Sequence, residues 1–181
     1  MKTFASMALA SVAAAASNNW AVVMSGNHYW ANYNCQADSH HVVQLLKKNG
    51  VPREQIIHLA YDDVANDPAN PFPGQLFNKP TEKGTPGVNV YDASDIDYRG
   101  DDVSKTNFFN ALLGNDENGP ALKSDENSNV FVYYCSYGGL GQVNTPGGSL
   151  DTIYAEQLAS TLIKMHDTKM YNELVFYLEG S

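Results

Sequence analysis

The sequence predicts an α/β protein built on an open, mainly parallel sheet. Two observations carry that expectation. Four runs of strand-forming residues are separated by stretches with apolar residues at helical spacing, and the first strand, helix and second strand form a βαβ unit, whose crossover requires parallel strands. The chain has 181 residues, 43% of them hydrophobic, which is enough for one domain with a packed core and too little for two of ordinary size.

The elements follow in order. Residues 1–16, MKTFASMALASVAAAA, carry one Lys, a short apolar run and a series of small residues, the pattern of a secretory signal peptide, leaving 17–181 as the domain. The apolar run is too short to span a bilayer. Trp20 to Met24 is a short buried strand ending in a Gly26-Asn27 turn. A helix follows through CQADSHHVVQLLKKNG, with Ala37, Val42, Leu45 and Leu46 at helical spacing, Lys47 and Lys48 in its last turn and Gly50 as its stop. The second strand is centred on Ile56 to Ala60. Residues 62–100 hold most of the prolines and no sustained period, which in a compact domain marks a functional excursion over the surface. Ser104 then caps a helix with an apolar stripe of Phe108, Phe109 and Leu112, and Gly114 ends it. The third strand is Val130 to Tyr134, the third helix lies in SLDTIYAEQLASTLIKMHDTKM, and NELVFYLEGS is the fourth strand.

Charge and composition exclude several functions. A formal net charge of -9 leaves no basic patch dense enough for nucleic acid or for an anionic membrane surface. The two cysteines, Cys35 and Cys135, do not make a disulfide scaffold, and the five histidines show no zinc-type spacing, so neither a metal nor another cofactor is expected. Arg99-Gly100-Asp101 reads as an integrin tripeptide in isolation, but such triplets are common by chance.

In an open parallel sheet, sites form beyond the carboxyl ends of the strands. Three stretches therefore converge: Ser25 to Asn34, Cys135 to Gly141, and Glu179 to Ser181. The turn with Gly138, Gly139 and Gly141 lets backbone N–H groups approach a phosphate or an oxyanion, or is simply a tight turn. A phosphate is the weaker fit, since the segment has no Lys and matches no phosphate-binding glycine motif.

The stretches WANYNCQADSHHVVQLLKKNGVPREQIIHLAYDD, NPFPGQLFNKP, NVYDASDIDYRGDDVSKTNFFNALLG, VFVYYCSYGGLG and KMYNELVFYLE closely resemble, in order and spacing, the legumain or asparaginyl endopeptidase family, related to the catalytic subunit of the glycosylphosphatidylinositol transamidase. The likeness covers nearly everything after residue 16. It implies a three-layer, caspase-like α/β fold, here expected to be cut short after the fourth strand, and a Cys-His peptidase that cuts after asparagine in an acidic compartment. A vacuolar, lysosomal or extracellular destination in the secretory pathway is implied with it.

Two decisive positions differ from the family pattern. Where the family has Asp-His-Gly this chain has Ser136-Tyr137-Gly138, and where it has Glu-Ala-Cys this chain has Glu179-Gly180-Ser181. Tyr137 thus stands at the position of the base and Ser181 at that of the nucleophile, with Gly138 in the oxyanion turn. The pair works because imidazole titrates near the operating pH and leaves a thiolate to attack the carbonyl. A phenol of pKa about 10 donates a hydrogen bond but is no base in that range, and a serine hydroxyl needs a base more than a thiol does. In the serine peptidase subtilisin, loss of nucleophile or base costs about 10⁶ in turnover.

Asn32 matches the residue that orients the histidine and is expected to serve as a loop hydrogen-bonder here. Asn34 and Cys35 replace the family's Arg-His pair, removing the bidentate grip on the substrate amide, while Glu179 matches the acidic residue of the asparagine pocket. Cys135 as a relocated nucleophile and His28 as a replacement base are each set against a bland alternative, an inert buried thiol and a surface-loop ring. Cys35 and Cys135 fall near strand ends facing one site, as separate thiols or as a disulfide. The expectation is a legumain-like chain without peptidase turnover, whose ligand, if any, is an asparagine-containing peptide or protein. The alternatives are an active peptidase represented by an incomplete chain, and a transamidase-like binding subunit with a partner protein covering the exposed sheet edge.

Overall fold

The computed structural model describes residues 18–79 and 87–180. The expected signal peptide and Ser181 lie outside the described residues.

Four parallel strands form the sheet in the order β2-β1-β3-β7: β1 (Asn19–Ser25), β2 (Ile56–Leu59), β3 (Asn129–Ser136) and β7 (Glu173–Gly180). Three helices flank it: α1 (Tyr33–Lys48), α2 (Lys105–Leu112) and α3 (Ala155–Asp167). The period-two alternation of the central strands divides the core. Val22, Met24, Val130, Val132 and Tyr134 face α2 and α3, packing on Phe108, Ala111, Leu112 and Met165. Ala21, Val23, Tyr133 and Cys135 face α1 and pack on Cys35 and Val43. The result is the three-layer α/β architecture, helices on both faces of a parallel sheet.

Helix ends follow the sequence. Ser104 Oγ accepts from the Asn107 N–H at 3.2 Å, the expected cap. Gly50, with φ at 88°, takes the left-handed conformation beyond α1, where its N–H donates to the Lys47 carbonyl. Lys47 in the last turn pairs with Asp95 at 2.7 Å.

The excursion after β2 is ordered by its own small core. Val64, Ala65, Leu76 and Val90 are buried against Ala37 of α1, with Trp30, Tyr33 and Tyr91 packed around them. The Tyr33 hydroxyl accepts from the Phe77 N–H and donates to its carbonyl, tying the excursion to α1. Its return closes the β2 edge: Leu59 bridges Tyr98 in parallel, and the Ala60 N–H donates to the Tyr98 carbonyl. Arg99 of the Arg-Gly-Asp triplet turns back to Asp62 at 3.3 Å and to the Ala93 carbonyl, an internal structural use.

Two expectations are corrected. The helix expected from residue 149 begins at Ala155, because Ile153–Tyr154 forms a short strand, β6. The glycine-rich turn is a hairpin. Gly138–Gly139 (β4) pairs antiparallel with Gln142–Val143 (β5), which pairs with β6, making a second, three-stranded sheet. Gly141, at φ 72°, takes the left-handed position of the two-residue turn.

Candidate functional site

The carboxyl ends of β1 and β3 lie side by side and are locked together by small polar groups. The Gly26 N–H donates to the Cys135 carbonyl at 2.7 Å. A Cβ at Gly26 would stand 2.6 Å from the Asn144 carbonyl oxygen and 2.8 Å from Ser136 Cβ, so only glycine lets the strands approach this closely. Ser136 Oγ donates toward Asn27 Oδ1 at 3.1 Å. In turn Asn27 Nδ2 donates to Cys35 Sγ at 3.4 Å. Every one of these side chains is buried, so the junction is a rigid floor.

Tyr137 is the first residue beyond that floor. Its carbonyl accepts from the Asn144 N–H at 2.8 Å, and its side chain is 47% exposed at the strand end. Gly138 follows within β4, where a Cβ would meet the Gln142 carbonyl at 2.6 Å. Hence the glycine is required by the hairpin itself.

The β1–α1 loop forms the adjacent wall. Asn32 Nδ2 donates to the His28 carbonyl at 2.7 Å, an intraloop bond. The His28 ring stacks on Tyr29 with centroids 3.6 Å apart and meets Tyr61 edge-on at 4.8 Å. Tyr29 is held at φ 70° and ψ 152°, a region strained for a non-glycine residue, with its N–H bonded to Asp63 at 2.6 Å. Asp63 also accepts from Gln36 Nε2, so the excursion fixes the loop from above.

Cys35 and Cys135 are joined by a disulfide, with Cα atoms 5.4 Å apart across the floor. This decides between the options left open by the sequence. Neither sulfur is a free thiol, which removes Cys135 both as a relocated nucleophile and as an inert thiol. Asn34, exposed at the start of α1, directs its amide toward Cys35 Sγ at 3.7 Å.

Glu179 sits opposite Cys135 in the β3–β7 register and accepts from the Tyr133 hydroxyl at 2.6 Å. Burial, together with that bond and the carboxylate charge, pushes the Tyr133 phenol well above its usual range. Sequence reasoning misses Asp38, one helical turn beyond Cys35. Its carboxyl is raised above the usual carboxylate range, first by burial and then by the Glu179 charge, with His41 and Asn78 partly offsetting both. The available clue is the i, i+3 spacing from Cys35, which puts both residues on one helix face.

Beside the hairpin is a cavity of about 470 Å³, lined by Gly139, Val143, Ile153, Leu158, Leu178 and Gly180 among others. It is apolar, and Leu178 of its lining is 50% exposed.

Comparison with known proteins supplies the lineage. The peptidase C13 family profile matches residues 19–181. The chain is 38% identical to legumain of Rattus norvegicus over 168 residues, 90% of this chain and 37% of that protein. It is 40% identical over 166 residues to the vacuolar-processing enzyme delta-isozyme of Arabidopsis thaliana, covering 89% of this chain and 34% of the relative. A hemoglobinase of Schistosoma mansoni is 38% identical over 165 residues, 91% of this chain and 37% of the relative. The chain thus spans about a third of the length of the relatives it matches.

Proposed function

The chain belongs to the peptidase C13 family, and from that premise we propose that it is a legumain-like member whose own site does not turn over peptides. Its α/β fold is the caspase-like one expected of that family. The observation that carries the reading is Tyr137, at the end of β3 in the position that the resemblance gives to the catalytic histidine. A phenol in that place donates a hydrogen bond but does not draw a proton from a nucleophile at acidic pH.

The neighbouring groups support the same reading. Ser181 takes the nucleophile's position in the sequence. Both thiols are consumed in the Cys35–Cys135 bond, and the His28 ring lies against Tyr29 and meets Tyr61 edge-on. Asn34 replaces the guanidinium that would grip a substrate amide, leaving Glu179 of the asparagine pocket. The remaining role is recognition: an asparagine-containing peptide over the strand ends, and a partner protein along β7, which among the described residues pairs with β3 alone and can take an added strand on its other side. The signal-like residues 1–16 and the similarity to a protein named vacuolar-processing enzyme support a secretory-pathway location, vacuolar, lysosomal or extracellular.

A peptide electrophile ending in asparagine tests the reading. The purified chain is incubated with it at acidic pH, denatured and weighed by mass spectrometry. No adduct is expected on any residue, and a stoichiometric adduct on one native side chain overturns the proposal.

A further inference from the structure

Three potential metal donors meet beneath the strand ends, and a fourth is bonded to one of them. One carboxylate oxygen each from Asp38 and Glu179 and the Cys135 Sγ lie within 4.8 Å of one another, and Cys35 Sγ is bonded to Cys135 Sγ. Three elements bring them together. Cys35 and Asp38 share a face of α1 by their i, i+3 spacing. Cys135 and Glu179 are register partners on β3 and β7, on the face where Tyr133 also points.

The surroundings resemble a supporting shell. The Tyr133 hydroxyl holds Glu179 at 2.6 Å, the Asn78 amide donates to Asp38, and the Asn27 and Asn34 amides are aimed at Cys35 Sγ at 3.4 and 3.7 Å. Such donors orient carboxylate ligands and stabilise thiolate sulfur. Two carboxylates facing each other here repel, a repulsion that a bound cation offsets.

We propose that reduction of the Cys35–Cys135 bond converts this cluster into a binding site for a thiophilic divalent cation of the Zn²⁺ class, held by Cys35, Cys135, Asp38 and Glu179. Disulfide and metal are then mutually exclusive states of one site. A small dithiol supplies the two electrons and two protons: its sulfhydryls become its own disulfide and the protein bond becomes two thiols. The cation displaces both thiol protons to solvent, and no further electron moves. Zinc bond lengths of about 2.3 Å to sulfur and about 2.0–2.2 Å to oxygen place tetrahedral donors roughly 3.5 Å apart, so the two carboxylate oxygens and Cys135 Sγ close in slightly while the two sulfurs, once their bond is reduced, separate. The sulfur donors favour zinc over magnesium or calcium. Exposed Glu179 provides the entry path.

The experiment titrates Co²⁺, then Zn²⁺ against a chromophoric chelator, into the full chain either oxidised or reduced and freed of reductant without air. One Co²⁺ per reduced chain is expected, with a sulfur-to-cobalt charge-transfer band that Zn²⁺ bleaches, and no band in the oxidised chain. Cys135→Ser removes the band, and Asp38→Asn and Glu179→Gln each weaken binding by at least about tenfold. Glu179→Gln lies at an exposed strand end and carries the test should Asp38→Asn alter folding. Absence of uptake by the reduced chain, equal uptake by the oxidised chain, or a band indifferent to both carboxylate variants overturns the proposal. Metal stoichiometry is read without any peptide substrate, so it fails or holds independently of the peptidase reading.

Discussion

The ring of His40 meets the ring of His58 edge-on, with centroids 4.8 Å apart, inside the layer between α1 and the excursion. His40 is 1% exposed, and neither of its ring nitrogens has a hydrogen-bond partner among the described residues. His58 is fully buried and better served, with Nδ1 at 3.0 Å from the Asp95 carbonyl and Nε2 at 3.1 Å from Ser39 Oγ. Burial brings His40 down to about 4 against the pull of Asp95 and Asp92, with Arg99 adding to the depression. It lowers His58 well below its usual value, helped by the His40 charge. The fold therefore holds both rings neutral.

Stability should fall in acid for that reason. Between the unfolded value of 6.5 and the folded value of about 4, an unfolded His40 takes up a proton that the folded ring refuses, so stability drops as pH falls through this window. At about 1.4 kcal/mol per pH unit the loss from His40 is about 3 kcal/mol. Urea unfolding at pH 7 and pH 4.5 measures it, and His40→Leu should flatten the slope. An unchanged slope in that variant contradicts the assignment.

Asp38 has the opposite sign. Its folded carboxyl is raised, so the charge it carries at neutral pH destabilises the fold, and that cost disappears once acid protonates it. Asp38→Asn should move the urea midpoint upward at pH 7 and leave it unmoved at pH 3, where the carboxyl is already neutral.

The Cys35–Cys135 bond closes a loop with a sequence separation of 100. Constraining a loop of that length in the unfolded chain is worth about 4.7 kcal/mol by chain entropy, against the roughly 2–4 kcal/mol typical of disulfides. Addition of a reductant in the absence of metal should lower the unfolding midpoint accordingly, and a midpoint insensitive to reductant speaks against the bond.

Gly26→Ala places a methyl group 2.6 Å from the Asn144 oxygen and 2.8 Å from Ser136 Cβ. Neither neighbour yields, because the first is backbone and the second is on a central strand. A loss of about 1–3 kcal/mol is expected from this overpacking, read as a lowered thermal midpoint. A variant as stable as the parent means that the strand ends are looser than described.

Strands and helices are legible in the sequence because their periods are clean: Val22 and Met24 against Ala21 and Val23 divide two faces within four residues of one strand. The small sheet is not legible. β4, β5 and β6 have two residues each, too short for any alternation, and the glycines of β4 read as a turn. The lineage and the substituted positions, Tyr137 and Asn34 among them, are visible as departures from a familiar pattern. The carboxylate–sulfur cluster is not, because its members come from α1, β3 and β7, and a metal set scattered from Cys35 to Glu179 has no local spacing to read. His40 reads only as half of a pattern-free pair with His41, since nothing in the local sequence marks a histidine that faces a buried partner on the next strand.

The central claim is that the strand ends recognise without cutting, and the most direct measurement is turnover of a fluorogenic asparagine peptide by the purified, oxidised chain across pH 4 to 7. The predicted rate equals that of the heat-denatured control throughout. A saturable rate above that control, abolished by Tyr137→Phe or Ser181→Ala, would contradict it.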